Sequence, residues 1–286
     1  MKQFTKELVK ELTKVLNDST RWIIAECVES KINQRDAAAI RVTDCAMKIN
    51  KIIDLGNAYQ SFLDGDSIKT IAADIADTLM KTGMIAQEMM EDKEAILNNV
   101  YAKLINAPKN RQMLKSVPYK EFEDLAIVFF TIVKSTEDGQ TCLIVNDDVV
   151  QKCDLTVDEL YDRAMKNTLK TFPPRVSTLS DALGIKDVPE GFIELYVLDH
   201  PGYPFGAVHI TNTEILSKIA SMLNDNLYII PSSIQEVIIG EASMLDKDYV
   251  NSTINETNET TVEDRIFLSS HAYFYDRNEN KVSSVY

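Results

Sequence analysis

The sequence predicts an α+β protein: mostly antiparallel sheet, helices packed on it, and a smaller N-terminal α/β part. Two observations carry the fold class. Apolar runs of strand length come in pairs joined by turn residues, as hairpins require. Amphipathic segments separate these pairs instead of alternating with single strands, so a doubly wound parallel sheet is disfavoured. A third observation bears on size. At 286 residues, with 45% hydrophobic and 26% charged residues, the chain can bury a sizeable core in one or two domains.

Residues 2–16 open the chain as an amphipathic helix. Phe4, Leu8, Leu12 and Val15 recur at helical spacing, and Lys2, Lys6, Lys10 and Lys14 line the other side. Glu7 and Glu11 interrupt the lysines, which favours a helix docked on a core over one lying on a membrane. Residues 21–28 (RWIIAECV) and 37–42 (AAAIRV) read as strands joined by the polar turn SKINQRD, and 49–55 adds a third. A short helix follows over 57–63, closed by Asp64-Gly65. Asp66 or Ser67 then caps a second helix bearing Ile68, Ile71, Ile75 and Leu79, which Gly83 is expected to interrupt. Met80, Met84, Met89 and Met90 are expected as gap-filling core. Residues 92–105 read as a further helix.

The near-continuous apolar run 125–133 (LAIVFFTIV) predicts a central strand buried on both faces. Asp138-Gly139 turns it into a partner strand over 141–145. A short helix starts at Asn146, and Thr156 with Glu159 forms a capping box for a longer one that Phe172-Pro173-Pro174 ends. Residues 177–191 read as loop with one short helical piece. Residues 193–198 and 207–210 read as a strand pair around HPGYPFG, and Asn212 or Thr213 caps a helix through Leu223. Strands at 228–230 and 237–239 flank the corner Pro231-Ser232-Ser233, because proline cannot donate to a strand ladder. A helix over 246–255, a short strand over 272–275 and a loose polar tail complete the chain. The expected division is 1–107 and 108–286, with one continuous domain as the alternative.

Composition narrows function more by exclusion than by assignment. The net charge of −14 opposes binding to a phosphate backbone. Half of that excess lies between Asp225 and Tyr286, with 11 acidic and 4 basic residues. No apolar run approaches the ~20 residues of a membrane-spanning helix, and no apolar leader opens the sequence. The four cysteines, Cys27, Cys45, Cys142 and Cys153, form no C-x-x-C pair and suit reduced thiols in a cytoplasm. The N-x-S/T runs at Asn17, Asn251, Asn255 and Asn258 are then polar residues of a helix end or loop, not sugar sites. Walker, dinucleotide-binding, G-x-S-x-G, H-E-x-x-H and EF-hand patterns do not occur.

Four residues are weak candidates for catalysis. Ser232 or Ser233 as nucleophile, served by His209 or His271 and oriented by Glu236 or Asp199, satisfies the residue types of acyl transfer. His200, in the Pro-Gly turn, reads as solvated. The same serines also suit turn capping, through S-x-x-E and S-x-x-Q. Asp147, Asp148 and Asp154 flank a helix start, where negative charge complements the helix dipole without a metal. No metal and no cofactor is assigned.

The segments VPYKEFEDLAIVF (117–129), NTLKTFPP (167–174), LYIIPSSIQEVI (227–238) and LSSHAYFYD (268–276) resemble domain-of-unknown-function family 5688, found mainly in anaerobic Gram-positive bacteria. The likeness runs through most of the chain in the same order, with YQSFLDGDSIKTIAADI as its best N-terminal match. Two departures stand out: Gln235 occupies a position where relatives usually carry histidine, and Asp54-Leu55-Gly56 replaces a Tyr-Leu-Asn run. The resemblance implies a bacterial cytoplasmic protein and no substrate, cofactor or catalytic residue. Residues and resemblance together favour a non-enzymatic binding or interaction protein of unknown protein partner, with no nucleic acid bound and no membrane insertion. A Ser/His hydrolase or transferase is the alternative, and an acidic decoy of a nucleic-acid-binding protein the third reading.

Overall fold

The computed structural model describes residues 1–17, 22–32, 35–45, 49–136, 139–186 and 191–286. They form an α+β fold in two compact units. One comprises residues 1–89 with 133–143, the other 90–132 with 144–286.

The first unit begins with α1 (Lys2–Leu16), ended by Asn17 in the left-handed region at φ 38°. Its inner stripe is Phe4, Leu8, Leu12 and Leu16, with the half-exposed Val15 left outside it. That stripe packs against a three-stranded antiparallel sheet of β1 (Trp22–Ile32), β2 (Arg35–Asp44) and β3 (Ile49–Asp54) in sequence order. The first two strands therefore run longer than the sequence suggests, and SKINQRD is mostly strand, with 33–34 outside the described residues. α2 (Gly56–Leu63) and α3 (Ile68–Met90) follow. Ile40, Val42 and Leu55 join Ile71, Ala72, Ala76 and Leu79 of α3 in one core with α1.

Gly83 does not break α3. A mid-helix glycine costs about 1 kcal/mol, which a 23-residue helix packed through Ile71, Ala72, Ala76 and Leu79 absorbs. The methionines divide: Met90 is buried, while Met80 and Met84 are exposed, so these two do not fill a core.

The second unit corrects the expected helix over 92–105. α4 is only Lys93–Asn99, capped by the Asp92 side chain, and Val100–Asn106 is strand β4. All but one of the β4 residues are buried, and a run buried on both faces carries no period that separates strand from helix. β5 (Tyr119–Phe122), β6 (Leu125–Thr136) and β7 (Gly139–Ile144) complete a four-stranded sheet in which β6 pairs with all three others, residues 133–143 of β6 and β7 being those that belong to the first unit. Residues 125–131 of β6 are buried, as a central strand requires. Asp138 of the predicted turn lies outside the described residues.

α5 (Asp147–Lys152) and α6 (Val157–Thr171) come next, and both caps of the α6 box are made. α6 covers the open edge of β4. Thr168 Oγ1 accepts the Ala102 N–H at 3.1 Å, and Tyr203 donates its hydroxyl to the Ala102 carbonyl at 2.5 Å. An edge strand satisfied this way offers little to another chain.

β8 (Arg175–Thr178) and α7 (Leu179–Leu183) occupy the expected loop, and 187–190 lie outside the described residues. β9 is Tyr196–Asp199. The expected return strand over 207–210 is instead a buried 3-10 segment, Gly206–Thr211. Its Ala207 N–H donates to the Ile234 carbonyl, outside any ladder. α8 (Thr213–Leu223) has Asn212 as its N-cap. β10 (Leu227–Pro231), β11 (Val237–Glu241), α9 (Lys247–Thr260), β12 (Ala272–Asp276) and β13 (Lys281–Val285) complete the chain.

These strands build a six-stranded antiparallel sheet in the order β13-β12-β10-β11-β9-β8. The tail is thus not loose. It pairs along β12 from Ala272↔Val285 to Asp276↔Lys281, and the Ser284 N–H and hydroxyl both donate to the Glu123 carboxylate. The asparagines of α9 brace it: Asn251 accepts the Ala272 N–H and donates to the Val285 carbonyl, and Asn258 donates to the Ser269 carbonyl. Among the described residues, no helix is long and apolar enough to cross a membrane.

Candidate functional site

The corner between β10 and β11 follows from its sequence. Pro231 closes the ladder opposite Val237. The chain then turns so that the Ser233 N–H donates to the Glu236 carbonyl at 3.2 Å, and the Ser233 hydroxyl accepts the Gln235 N–H at 3.0 Å. Ser233 is buried. Ser232 Oγ reaches Glu236 Oε1 at 3.5 Å, the long limit of a hydrogen bond. The corner is held from both sides, by Ile234 N–H to the Ile266 carbonyl and by Ala207 N–H to the Ile234 carbonyl. Gly206 is glycine because a β-carbon there would meet the Gln235 carbonyl.

A cleft of about 370 Å³ opens beside this corner, lined by Asp199, His200, Gly202, Tyr203, Gln235 and Glu236. Asp199 is clamped by Arg175, Nε to Oδ1 at 2.9 Å and Nη2 to Oδ2 at 2.6 Å. That pair raises the Arg175 pKa. His200 Nδ1 lies 2.6 Å from the Pro173 carbonyl, so that nitrogen carries the proton. Tyr203 stacks on Phe172 at 4.2 Å and 13°, forming an aromatic floor.

His209 lies in the 3-10 segment and is fully buried. Neither ring nitrogen has a partner in good hydrogen-bond geometry, and the backbone of Phe172 is the polar group that acts on the ring. Burial drives its pKa down to about 4, and nearby His200 pushes the same way. It is a neutral core histidine. Among the described residues no hydrogen bond joins Ser232 or Ser233 to His209 or His271.

His271 belongs to another cluster. Ser269, His271 and Tyr273 alternate into β12 and so share one face. Ser269 Oγ is 3.3 Å from His271 Nδ1, and His271 Nε2 is 3.4 Å from Asp124 Oδ1 without hydrogen-bond geometry. The Tyr273 hydroxyl donates to the same Oδ1 at 2.6 Å. Burial works to raise the Asp124 pKa, but the facing His271 and the bond from Tyr273 outweigh it and hold the carboxyl below its ordinary value. Burial, then the bond to Asp124, pushes the Tyr273 phenol up. Ser269 is fully buried and also bonds the backbone of His271, and the Tyr286 ring lies 4.4 Å from the imidazole. The order Ser–His–Asp is thus present, but its serine has no route to a substrate.

Asp124 lines a second cleft of about 350 Å³ with Arg111, Lys115, Tyr119, Glu121 and Leu125 among its walls. The turn presenting it includes Glu123 at φ +53°, a costly conformation for a side chain of this size. The Glu123 carboxylate is fixed by Ser284. Asn106, buried, anchors the neighbouring loop by donating to the Leu268 carbonyl at 2.9 Å. Asp124, Ser269 and Tyr273 were not among the residues singled out from sequence. The signal that could have found two of them is the period-two pattern Ser-x-His-x-Tyr entering a strand.

Asp147 and Asp148 occupy the first turn of α5, after the Asn146 cap. Among the described residues, no group of three or more His, Cys, Asp or Glu side chains is placed to hold a metal. Cys45, Cys142 and Cys153 are free thiols, and the buried Cys153 thiol faces the Met90 carbonyl at 3.5 Å.

In comparison with known proteins, residues 1–277 match the model of a family of unknown function, DUF5688. No curated protein and no solved structure matches the chain significantly.

Proposed function

We propose, for a chain that belongs to DUF5688, a family whose name specifies no chemistry, that the protein is a non-enzymatic binding protein working through the surface clefts of its second unit. One observation carries this reading. The buried hydroxyls of Ser233 and Ser269 are spent on the backbone: Ser233 Oγ accepts the Gln235 N–H, and Ser269 Oγ bonds the backbone of His271. A nucleophile needs a base within reach and an approach for substrate, and neither hydroxyl has an approach. His209, the base within the 3-10 segment, is sealed and neutral.

The cleft beside Asp124 keeps Arg111 and Glu121 at its rim, neither in an ion pair among the described residues, as binding sites do. The buried thiol of Cys153 supports a reducing, cytoplasmic setting. The reading is tested with a fluorophosphonate probe, which labels activated serines. The wild-type protein is expected to label no more than Ser232→Ala does. Stoichiometric labelling lost in Ser232→Ala or His271→Ala sinks it and restores the hydrolase or transferase alternative.

A further inference from the structure

We propose that the cleft beside Asp124 binds a small zwitterion, a molecule with a primary ammonium or guanidinium group and a carboxylate, of the size of a free amino acid. This rests on the binding reading above and names the ligand class of one of its clefts.

The cleft draws its charges from two different elements. Arg111 and Lys115 come from the segment after β4, and Glu121 and Asp124 come from the β5–β6 hairpin. Ala107, Pro108, Leu114, Tyr119 and Leu125 supply apolar surface between them. Beneath lies a small core of Ile105, Val117, Ala126 and Val128, which makes the floor firm. The volume, about 350 Å³, falls at the small end of ligand sites.

The charges do not neutralise one another. Among the described residues, Arg111 makes no ion pair, and Asp124 makes none with a lysine or arginine. One of these charges is fastened. Asp124 Oδ1 takes the Tyr273 hydroxyl and faces His271, whereas no other side chain among the described residues hydrogen-bonds its Oδ2. Behind it, the buried His271 Nε2 has no hydrogen-bond partner. A fixed, partly desolvated carboxylate with a free oxygen recognises a cation bearing N–H donors, because charge-assisted bonds are the strong ones. The unpaired Arg111 guanidinium recognises a carboxylate in the same way. A ligand carrying both groups satisfies both ends at once. A simple cation or anion leaves one end unmatched, and nucleic acid brings only the charge that Glu121 and Asp124 repel.

The test is isothermal titration of the full chain with glycine, leucine, glutamate, lysine and arginine, each as the free amino acid, and with methylammonium and acetate as single-charge controls. At least one amino acid is expected to bind saturably, one per chain, about tenfold or more tighter than either control, a difference of about 1.4 kcal/mol. Arg111→Ala and Asp124→Asn are each expected to weaken it by about tenfold or more. Asp124→Asn disturbs a buried network and can unfold the chain, so the exposed Arg111→Ala carries the test by itself. The proposal is overturned if no amino acid binds, if a control binds as tightly, or if Arg111→Ala leaves the affinity unchanged. Mass spectrometry of the recovered ligand separates the two readings. A chemically altered ligand ends the non-enzymatic reading and leaves the site standing, whereas absence of binding ends the zwitterion site alone.

Discussion

His209 makes the acid sensitivity of the second unit calculable. An unfolded histidine titrates near 6.5, and in the fold burial lowers this to about 4. The folded pKa is depressed, so between these values the unfolded chain binds a proton that the native chain refuses. Stability is therefore complete above about pH 6.5 and falls as the pH drops toward 4, by at most about 1.4 kcal/mol per unit. From about pH 7 to pH 5 the loss is about 2 kcal/mol. The depressed carboxylates, among them Asp124 and Asp225, add their losses only as the pH falls through their own lower range, and the His209 variant separates this histidine's share of the window.

The perturbation is His209→Leu, close in volume. Neither ring nitrogen has a partner in good hydrogen-bond geometry, so little more than the weak contact with the Phe172 backbone is lost, and a volume-conserving swap costs under about 1.5 kcal/mol. Urea unfolding followed by far-ultraviolet circular dichroism at the two pH values measures both. The single tryptophan, Trp22, lies in the first unit and does not serve as the probe. The wild type is expected to lose about 2 kcal/mol on acidification and the variant almost none. An unchanged slope in the variant, or a loss above about 3 kcal/mol at pH 7, would refute a sealed, neutral His209.

Two further outcomes follow from local geometry. Gly206→Ala forces its β-carbon against the Gln235 carbonyl, and because backbone must move, a loss of about 1–3 kcal/mol is expected in the same unfolding assay; a neutral result would mean that the corner yields freely. Thr156→Ala removes the capping-box oxygen that accepts the Glu159 N–H, which is expected to cost about 1 kcal/mol and to speed amide hydrogen exchange in the first turn of α6; unchanged exchange there would deny the cap its role.

What the sequence determined by itself was local. The stripe of α1, the caps at Asn146, Thr156 and Asn212, and the Pro231 corner are all written within a few residues, because helix periodicity, capping and proline chemistry act over one or two turns. Tertiary contact decided the rest. Val100–Asn106 became a strand because β6 and α6 were there to satisfy both of its edges. Ala207–Ile210 became a 3-10 turn because its N–H had the β10–β11 corner to bond. The polar tail was held by β12, α9 and Glu123. The site shows the same division. Ser232 and Ser233 were legible as a turn, since their partners lie within four residues. Asp124 was not, since its partner Tyr273 is 149 residues away, and no local rule of chain chemistry reaches across that separation. Only the packed sheets bring them together, and Asp124 faces its cleft in a fixed position only once they have met.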